Sequence, residues 1–306
     1  MKNKLALLTL GALLALPLAL SAQTASAKAP EASVPTEPPN GRLIIIGGGG
    51  SIEPILKRFI SLAERFQSGK IVIYMMASGV PMETGPESLE EFKAAGAKNA
   101  VWFNLTREQA LVQDNADALN DVGGIYFEGG DQAYLTAALL GTPVLAKIKE
   151  LHRKGAVVGG TSAGAAVMSE VMITGDERRM PGGEEIECDK FRTIEAGNIV
   201  TAPGFGFITT AVIDQHHIYR KRTNRLISVI AEHPDLLGVA IDEDTAVEVA
   251  PDQTFEVVGD KCVLVLDAGR AKITPLASPL MKMESMILHL LTPGSRYDLK
   301  TRVVLD

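Results

Sequence analysis

Five apolar runs of strand length, separated by amphipathic or polar stretches, constrain this chain more than any other feature. They are "RLIIIGG" (42–48), "KIVIYMMAS" (70–78), "NAVWFNL" (99–105), "GIYFEGG" (124–130) and "GAVVGGT" (155–161), rich in β-branched and aromatic residues. Runs without polar alternation describe strands buried on both faces. Between the first two lies "IEPILKRFISLAERFQ" (52–67), in which Ile55, Leu56, Phe59, Ile60 and Leu62 recur at helical spacing. Such strands alternating with helices predict a doubly wound, mainly parallel α/β sheet with helices on both faces. The last third departs from this pattern. "GVAIDEDTAVEVAPDQTFEVVGDKCVLVLDAG" (238–269) has closely spaced strand-like runs and turn signals at Pro251-Asp252 and Gly259-Asp260, and reads as antiparallel strands extending the sheet.

The chain opens with "MKNKLALLTLGALLALPLALSAQTASA", two lysines, an apolar run and Ala25-Ser26-Ala27. This has the form of a secretory signal peptide (1–27) cleaved after Ala27, which predicts a secreted or periplasmic protein with no membrane anchor once cleaved. The run holds Pro17 and ends in small polar residues, unlike a bilayer-spanning helix. Residues 28–40, "KAPEASVPTEPPN", are a Pro-rich leader, and 41–306 are expected to form a single α/β domain with a β-rich C-terminal extension. Loss of Lys2 and Lys4 takes the formal charge from −7 to −9. With no basic block in the mature chain, a nucleic-acid partner is not expected. Cys188 and Cys262 would be permitted a disulfide in an oxidising compartment, but their spacing says nothing about proximity.

In doubly wound sheets, ligands bind beyond the carboxyl ends of the strands. The loops that matter are therefore Gly47–Ser51, Ala77–Val80, Gly129–Gln132 and Gly160–Gly164. The last of these, Gly160-Thr161-Ser162-Ala163-Gly164, fits G-x-S-x-G, the turn that presents a nucleophilic serine between a strand and a helix. "AVV" supplies the strand, and "AGAAVMSEVM" is expected to be the helix. Ala163 N–H follows the nucleophile directly and is one expected oxyanion donor, with Gly130 or Asp131 from the neighbouring loop as the other.

A serine hydroxyl needs a base within hydrogen-bond reach, and the chain has five histidines. His152 in "KIKELHRKG" reads as a solvated helix end, His233 as a helix terminus, and His289 lies in the apolar run "MILHLL". His216 and His217 follow the strand-like run "TTAVID", where this architecture places chemistry, so one of them is the expected base. The acid that orients it is sought among the carboxylates between Ser162 and His216. Glu177, in "VMITGDE", is the first choice, with Glu184 and Glu185 as alternatives.

Four stretches in one order, "FEGGDQAYL" (127–135), "GGTSAGAAVMSEVMI" (159–173), "VIDQHHIYRKRTNRL" (212–226) and "GVAIDEDTAVEV" (238–249), resemble the cyanophycinase-like serine peptidases of family S51. The resemblance runs from about Gly41 to about Val249. It implies a class I glutamine amidotransferase-like fold and hydrolysis next to aspartyl residues, of the β-Asp-Arg units of cyanophycin or of small aspartyl peptides. It further implies Ser162 as nucleophile, His216 as base, and Gln132, Asp214, Gln215, Arg220, Arg222 and Arg225 around the substrate. Arginines suit substrate carboxylates, and acidic groups suit a guanidinium. Two departures stand out: His217 replaces a commonly aromatic residue, and the segment Asp176–Val200 is longer than usual.

Two other functions are compatible with parts of the sequence. An ordinary α/β-hydrolase esterase would use the order Ser162, Asp242, His289, and a non-catalytic periplasmic binding protein would keep the fold alone. "IIIGGGGSIEP" lacks the third glycine of a dinucleotide fingerprint. No Cys/His ligand spacing is present, so no metal or other cofactor is expected. The expected partner is a peptide or cyanophycin-like substrate; a homodimer is compatible with the sequence but not required by it.

Overall fold

In the computed structural model the sheet begins at β1 (Leu43–Ile46), followed by α1 (Glu53–Ala63), β2 (Lys70–Tyr74), α2 (Pro81–Ala94) and β3 (Ala100–Phe103). Two short helices, α3 (Arg107–Ala110) and α4 (Gln113–Asp117), lead to β4 (Val122–Phe127), α5 (Gln132–Leu139), α6 (Pro143–Lys154), β5 (Val157–Thr161) and α7 (Ala163–Ala166). The structure describes residues 40–178, 185–187, 193–275 and 279–306. All of these belong to one compact unit.

Strands β1, β5, β4, β2 and β3 lie side by side in that order, each pair parallel. The doubly wound arrangement expected from the apolar runs is therefore present. Alternation along β1 sends Ile44 and Ile46 to the cover formed with Phe59 and Phe92, and Leu43 and Ile45 to the cover formed with Leu135, Ile148 and Leu151. This two-sided burial is the reason β1, β2, β4 and β5 carry no polar alternation, whereas β3, expected to be buried likewise, is the edge strand and is only partly buried. Helix α1 buries Ile55, Leu56, Phe59, Ile60 and Ala63, so Leu62 flanks the apolar stripe instead of belonging to it. His152, expected in solvent, is 5% exposed at the end of α6. Its Nδ1 lies 3.3 Å from Ala156 O, and burial lowers its pKa to about 4.

The second half holds β6 (Val171–Arg178), β7 (Glu185–Glu187), β8 (Ile199–Pro203), β9 (Ala211–Gln215), α8 (Thr223–Glu232) and β10 (Leu237–Ile241). Then come β11 (Thr245–Val249), β12 (Thr254–Gly259), β13 (Val263–Asp267), β14 (Lys272–Pro275), β15 (Met281–Glu284), β16 (Ile287–Leu291), β17 (Arg296–Asp298) and β18 (Val303–Leu305). Only part of this region extends the main sheet: β11, β12, β17 and β18 add to it beyond β1 in antiparallel fashion. The rest departs from the expectation, because β9, β10, β13 and β16 form a separate sheet. In it β10 runs parallel to β9, with Ile241 beside Gln215. Strands β7, β6 and β8 make a third small sheet from the long segment between Ser162 and His216. Among the described residues no helix is long and apolar enough to cross a membrane. The segments 1–27 and 28–39 lie outside the described residues. So does Cys188, while Cys262 is partly buried.

Candidate active site

Strand β5 ends at Thr161, and the backbone then turns sharply at Ser162, with φ 53° and ψ −109°. A non-glycine residue at such a φ is strained, and the neighbouring small residues make the turn sterically feasible. A Cβ on Gly160 would lie 2.5 Å from Gly164 O, and one on Gly164 would lie 2.0 Å from Phe127 O. The helix after Ser162 is a single turn, Ala163–Ala166, shorter than "AGAAVMSEVM" suggested. Phe205 N–H donates to Val167 O (2.6 Å) and Ile208 N–H to Met168 O (2.9 Å), so the 204–208 segment captures carbonyls that a longer helix would use.

The register Ile46 beside Thr161 and Phe127 beside Gly160 draws the loops after β1, β4 and β5 together at one edge. The loop after β9 joins them. His216 takes φ 49°, and its N–H donates to Gly47 O at 2.7 Å. Gly48 lies so close to the imidazole that a Cβ there would approach His216 Cε1 to 2.1 Å. The glycine run after β1 thus seats the histidine loop and Asp244, whose Oδ1 accepts from Ser51 N–H at 2.9 Å.

His216 Nε2 is 2.8 Å from Ser162 Oγ, and His216 Nδ1 is 2.7 Å from Glu243 Oε1. A carboxylate only accepts, so Nδ1 carries the proton and Nε2 is free to accept from the serine hydroxyl. Burial holds the His216 pKa below its ordinary value; Arg220 and Arg222 add to the shift and Glu243 opposes it. The ring is therefore neutral, as a base must be, at neutral pH. His217 points elsewhere: it is fully buried, its Nδ1 3.1 Å from Asp214 Oδ2 and its Nε2 3.1 Å from Thr223 Oγ1.

The carboxylate at His216 is Glu243, not Glu177. Glu177 is a buried residue of β6 paired in register with Ile186 and Ile199. Of the alternatives, Glu184 lies outside the described residues and Glu185 is placed only as backbone in β7. Glu243 stands in the stretch "AIDEDT", two residues beyond β10. Because β10 runs parallel to β9, residues just past Ile241 and just past Gln215 emerge together. Reading 238–269 as wholly antiparallel hid this; the rule that functional loops follow apolar strands would have found it. His289, the base of the ordinary α/β-hydrolase order, sits within β16 against Tyr297.

Ala163 N–H opens α7 and precedes any intrahelical acceptor. Gly130 has φ 133°, and a Cβ there would meet Ala77 O at 2.0 Å. Asp131 N–H is donated to Ala77 O at 2.9 Å, which withdraws it from the oxyanion role expected for it. Beneath this loop Glu128 accepts from Ser88 Oγ (2.5 Å) and Gly129 N–H (3.2 Å), and burial raises its pKa. This partly buried carboxylate was not singled out in the sequence, although it lies in the "FEGGDQ" stretch.

Beside Ser162 is a cavity of about 290 Å³ lined by Gly130, Asp131, Gln132, Thr174, Gly175, Asp176, Gln215, Arg220, Arg222 and Arg225. Five of the six residues that the resemblance placed around a substrate therefore meet here. Asp214 does not line the cavity; it is fully buried and paired with Arg225 through Nε (3.1 Å) and Nη2. Arg225 holds its carboxyl well below the usual range, against the effect of burial. Arg222 donates from Nη1 to Gln215 Oε1 at 2.6 Å. Because α8 starts only at Thr223, Arg222 is its N-cap residue and does not share a helical face with Arg225. Gln132 donates to Ile173 O at 3.0 Å and to Thr174 O. Arg220 is exposed at the cavity. Among the described residues no group of three or more His, Cys, Asp or Glu side chains is placed to hold a metal ion.

A serine, a histidine and a carboxylate in hydrogen-bonded series, at the carboxyl edge of a doubly wound sheet, form the arrangement of a serine hydrolase. Comparison with known proteins narrows the class. The model of peptidase family S51 matches residues 43–257, and the chain belongs to that family. It is 32% identical to the cyanophycinase of Geminocystis herdmanii over 268 residues, covering 85% of this chain and 94% of that protein. It is likewise 32% identical to the cyanophycinase of Trichormus variabilis over 287 residues, covering 91% and 92% of the two chains. A crystal structure of a peptidase from an acI-B1 actinobacterium shares the fold, with a TM-score of 0.62 and 22% identity over 84% of this chain and 96% of that one. The protein is thus a hydrolase acting as a peptidase of cyanophycinase type, with a class I glutamine amidotransferase-like fold.

Proposed function

We propose that the protein is a serine-type exopeptidase that hydrolyses peptide bonds next to aspartyl residues, with β-Asp-Arg units of cyanophycin or small aspartyl peptides as substrates. The observation that carries this reading is the unbroken series Ser162 Oγ, His216 and Glu243, with contacts of 2.8 and 2.7 Å, opening on a cavity lined by arginines and carboxylates. Ser162 Oγ attacks the scissile carbonyl while His216 Nε2 takes its proton. Glu243 stabilises the imidazolium, and Ala163 N–H and Gly130 N–H receive the oxyanion. Collapse breaks the C–N bond, with His216 returning the proton to the leaving amine. Water, deprotonated by the same imidazole, then releases the acyl group from Ser162.

The test is release of dipeptides from cyanophycin, and of amino acids from α- and β-aspartyl dipeptides, by wild type and Ser162→Ala. Turnover by wild type and none by a folded Ser162→Ala protein is expected. Hydrolysis at the wild-type rate by the variant would remove Ser162 from the mechanism. We propose further that residues 1–27 direct export. The mass of the mature protein checks this, since cleavage after Ala27 leaves Lys28 at the N-terminus.

A further inference from the structure

The long segment between Ser162 and His216 brings Asp176 into the cavity. Strand β6 pairs with β8 at Ile173 beside Thr201 and again at Glu177 beside Ile199, so the register slips between them. Thr174, Gly175 and Asp176 leave the β8 ladder there, with Gly175 at φ 107°. All three line the cavity beside Ser162. A bulge of this kind re-aims side chains, and bulges are enriched next to active sites. This one is anchored from the opposite wall, because the Gln132 side chain donates to Ile173 O and Thr174 O.

The other acidic residues near the cavity are committed. Asp131 Oδ1 caps α5 through Ala133 N–H at 2.7 Å, and Asp214 is held by Arg225 and His217. Among the described residues no donor reaches the Asp176 carboxylate, although three arginines line the same cavity. A carboxylate held beside cationic groups without pairing to them is available to a cation brought by the ligand.

We infer that Asp176 determines specificity by binding a guanidinium on the substrate, an inference that rests on the peptidase reading above. Carboxylate and guanidinium match as a planar, two-pronged pair, which favours arginine over an uncharged isostere of the same length.

The experiment measures binding, so that it does not depend on turnover. Ser162→Ala and the double variant Ser162→Ala/Asp176→Asn are titrated calorimetrically with β-Asp-Arg and with β-Asp-citrulline. The single variant is expected to prefer the arginine ligand by about tenfold or more, the scale of one charge-assisted hydrogen bond. The double variant should bind the two equally, with its citrulline affinity within about twofold of the single variant's, which also reports a folded site. A preference that persists without the Asp176 carboxylate, or none in the single variant, overturns the inference. Failure of the peptidase reading would appear elsewhere, as absence of aspartyl-peptide hydrolysis by the enzyme that retains Ser162.

Discussion

Replacing Glu243 by Gln is the sharpest test of how the site works, because it separates the charge at His216 from the shape around it. The amide is isosteric, and its carbonyl can still accept from Nδ1–H, so loss of activity reports chiefly loss of the negative charge. The N···O contact of 2.7 Å places the charge centres of carboxylate and imidazolium about 4 Å apart, with both side chains largely buried. At an effective dielectric near 20 that pair is worth about 4 kcal/mol. The imidazolium exists only once the serine proton has moved, so the interaction acts on the transition state and kcat should fall by about 10³-fold with little change in KM. Glu177→Gln is the control and should stay within about threefold of wild type. The assay is steady-state hydrolysis of a β-aspartyl peptide, with circular dichroism confirming the fold of both variants. A Glu243→Gln enzyme near wild-type activity, beside a Glu177→Gln enzyme reduced by orders of magnitude, would refute the assignment.

Gly164→Ala forces a Cβ to within 2.0 Å of Phe127 O, a backbone atom that cannot swing aside. A loss of about 3 kcal/mol or outright failure to fold is expected, read by thermal denaturation. Acid stability should depend on His152. His152 has a folded pKa of about 4 against an ordinary 6.5. As pH falls through this window the unfolded chain takes up the proton first, so stability present above pH 6.5 is lost toward pH 4, by about 3 kcal/mol from this residue. His152→Gln should flatten that part of the stability curve, measured by urea unfolding at a series of pH values; an unchanged slope would place the acid sensitivity elsewhere.

What the sequence determined by itself was local. Strands β1, β2, β4 and β5 were legible because burial on both faces removes polar residues from consecutive positions, and α1 because its apolar stripe repeats within one element. The turn at Ser162 was legible for the same reason, since the contacts that demand Gly160 and Gly164 arise within five residues and the strand beside them. The pair His216-His217 was within reach because few histidines exist and it follows a strand, and the family resemblance chose His216. The tertiary structure decided everything that depends on pairing between distant segments. Whether β10 runs parallel or antiparallel to its neighbour is not written in its own residues, yet that choice puts Glu243 at His216 and leaves Glu177 in another sheet. The same holds for Arg222 and Arg225, three positions apart and both expected around a substrate: the start of α8 and the buried Asp214 give each a different partner within the protein. A carboxylate or a guanidinium carries no mark in sequence that tells whether its counter-charge will come from the protein or from a ligand, because only the packing of remote elements sets which groups come within a few ångströms of it.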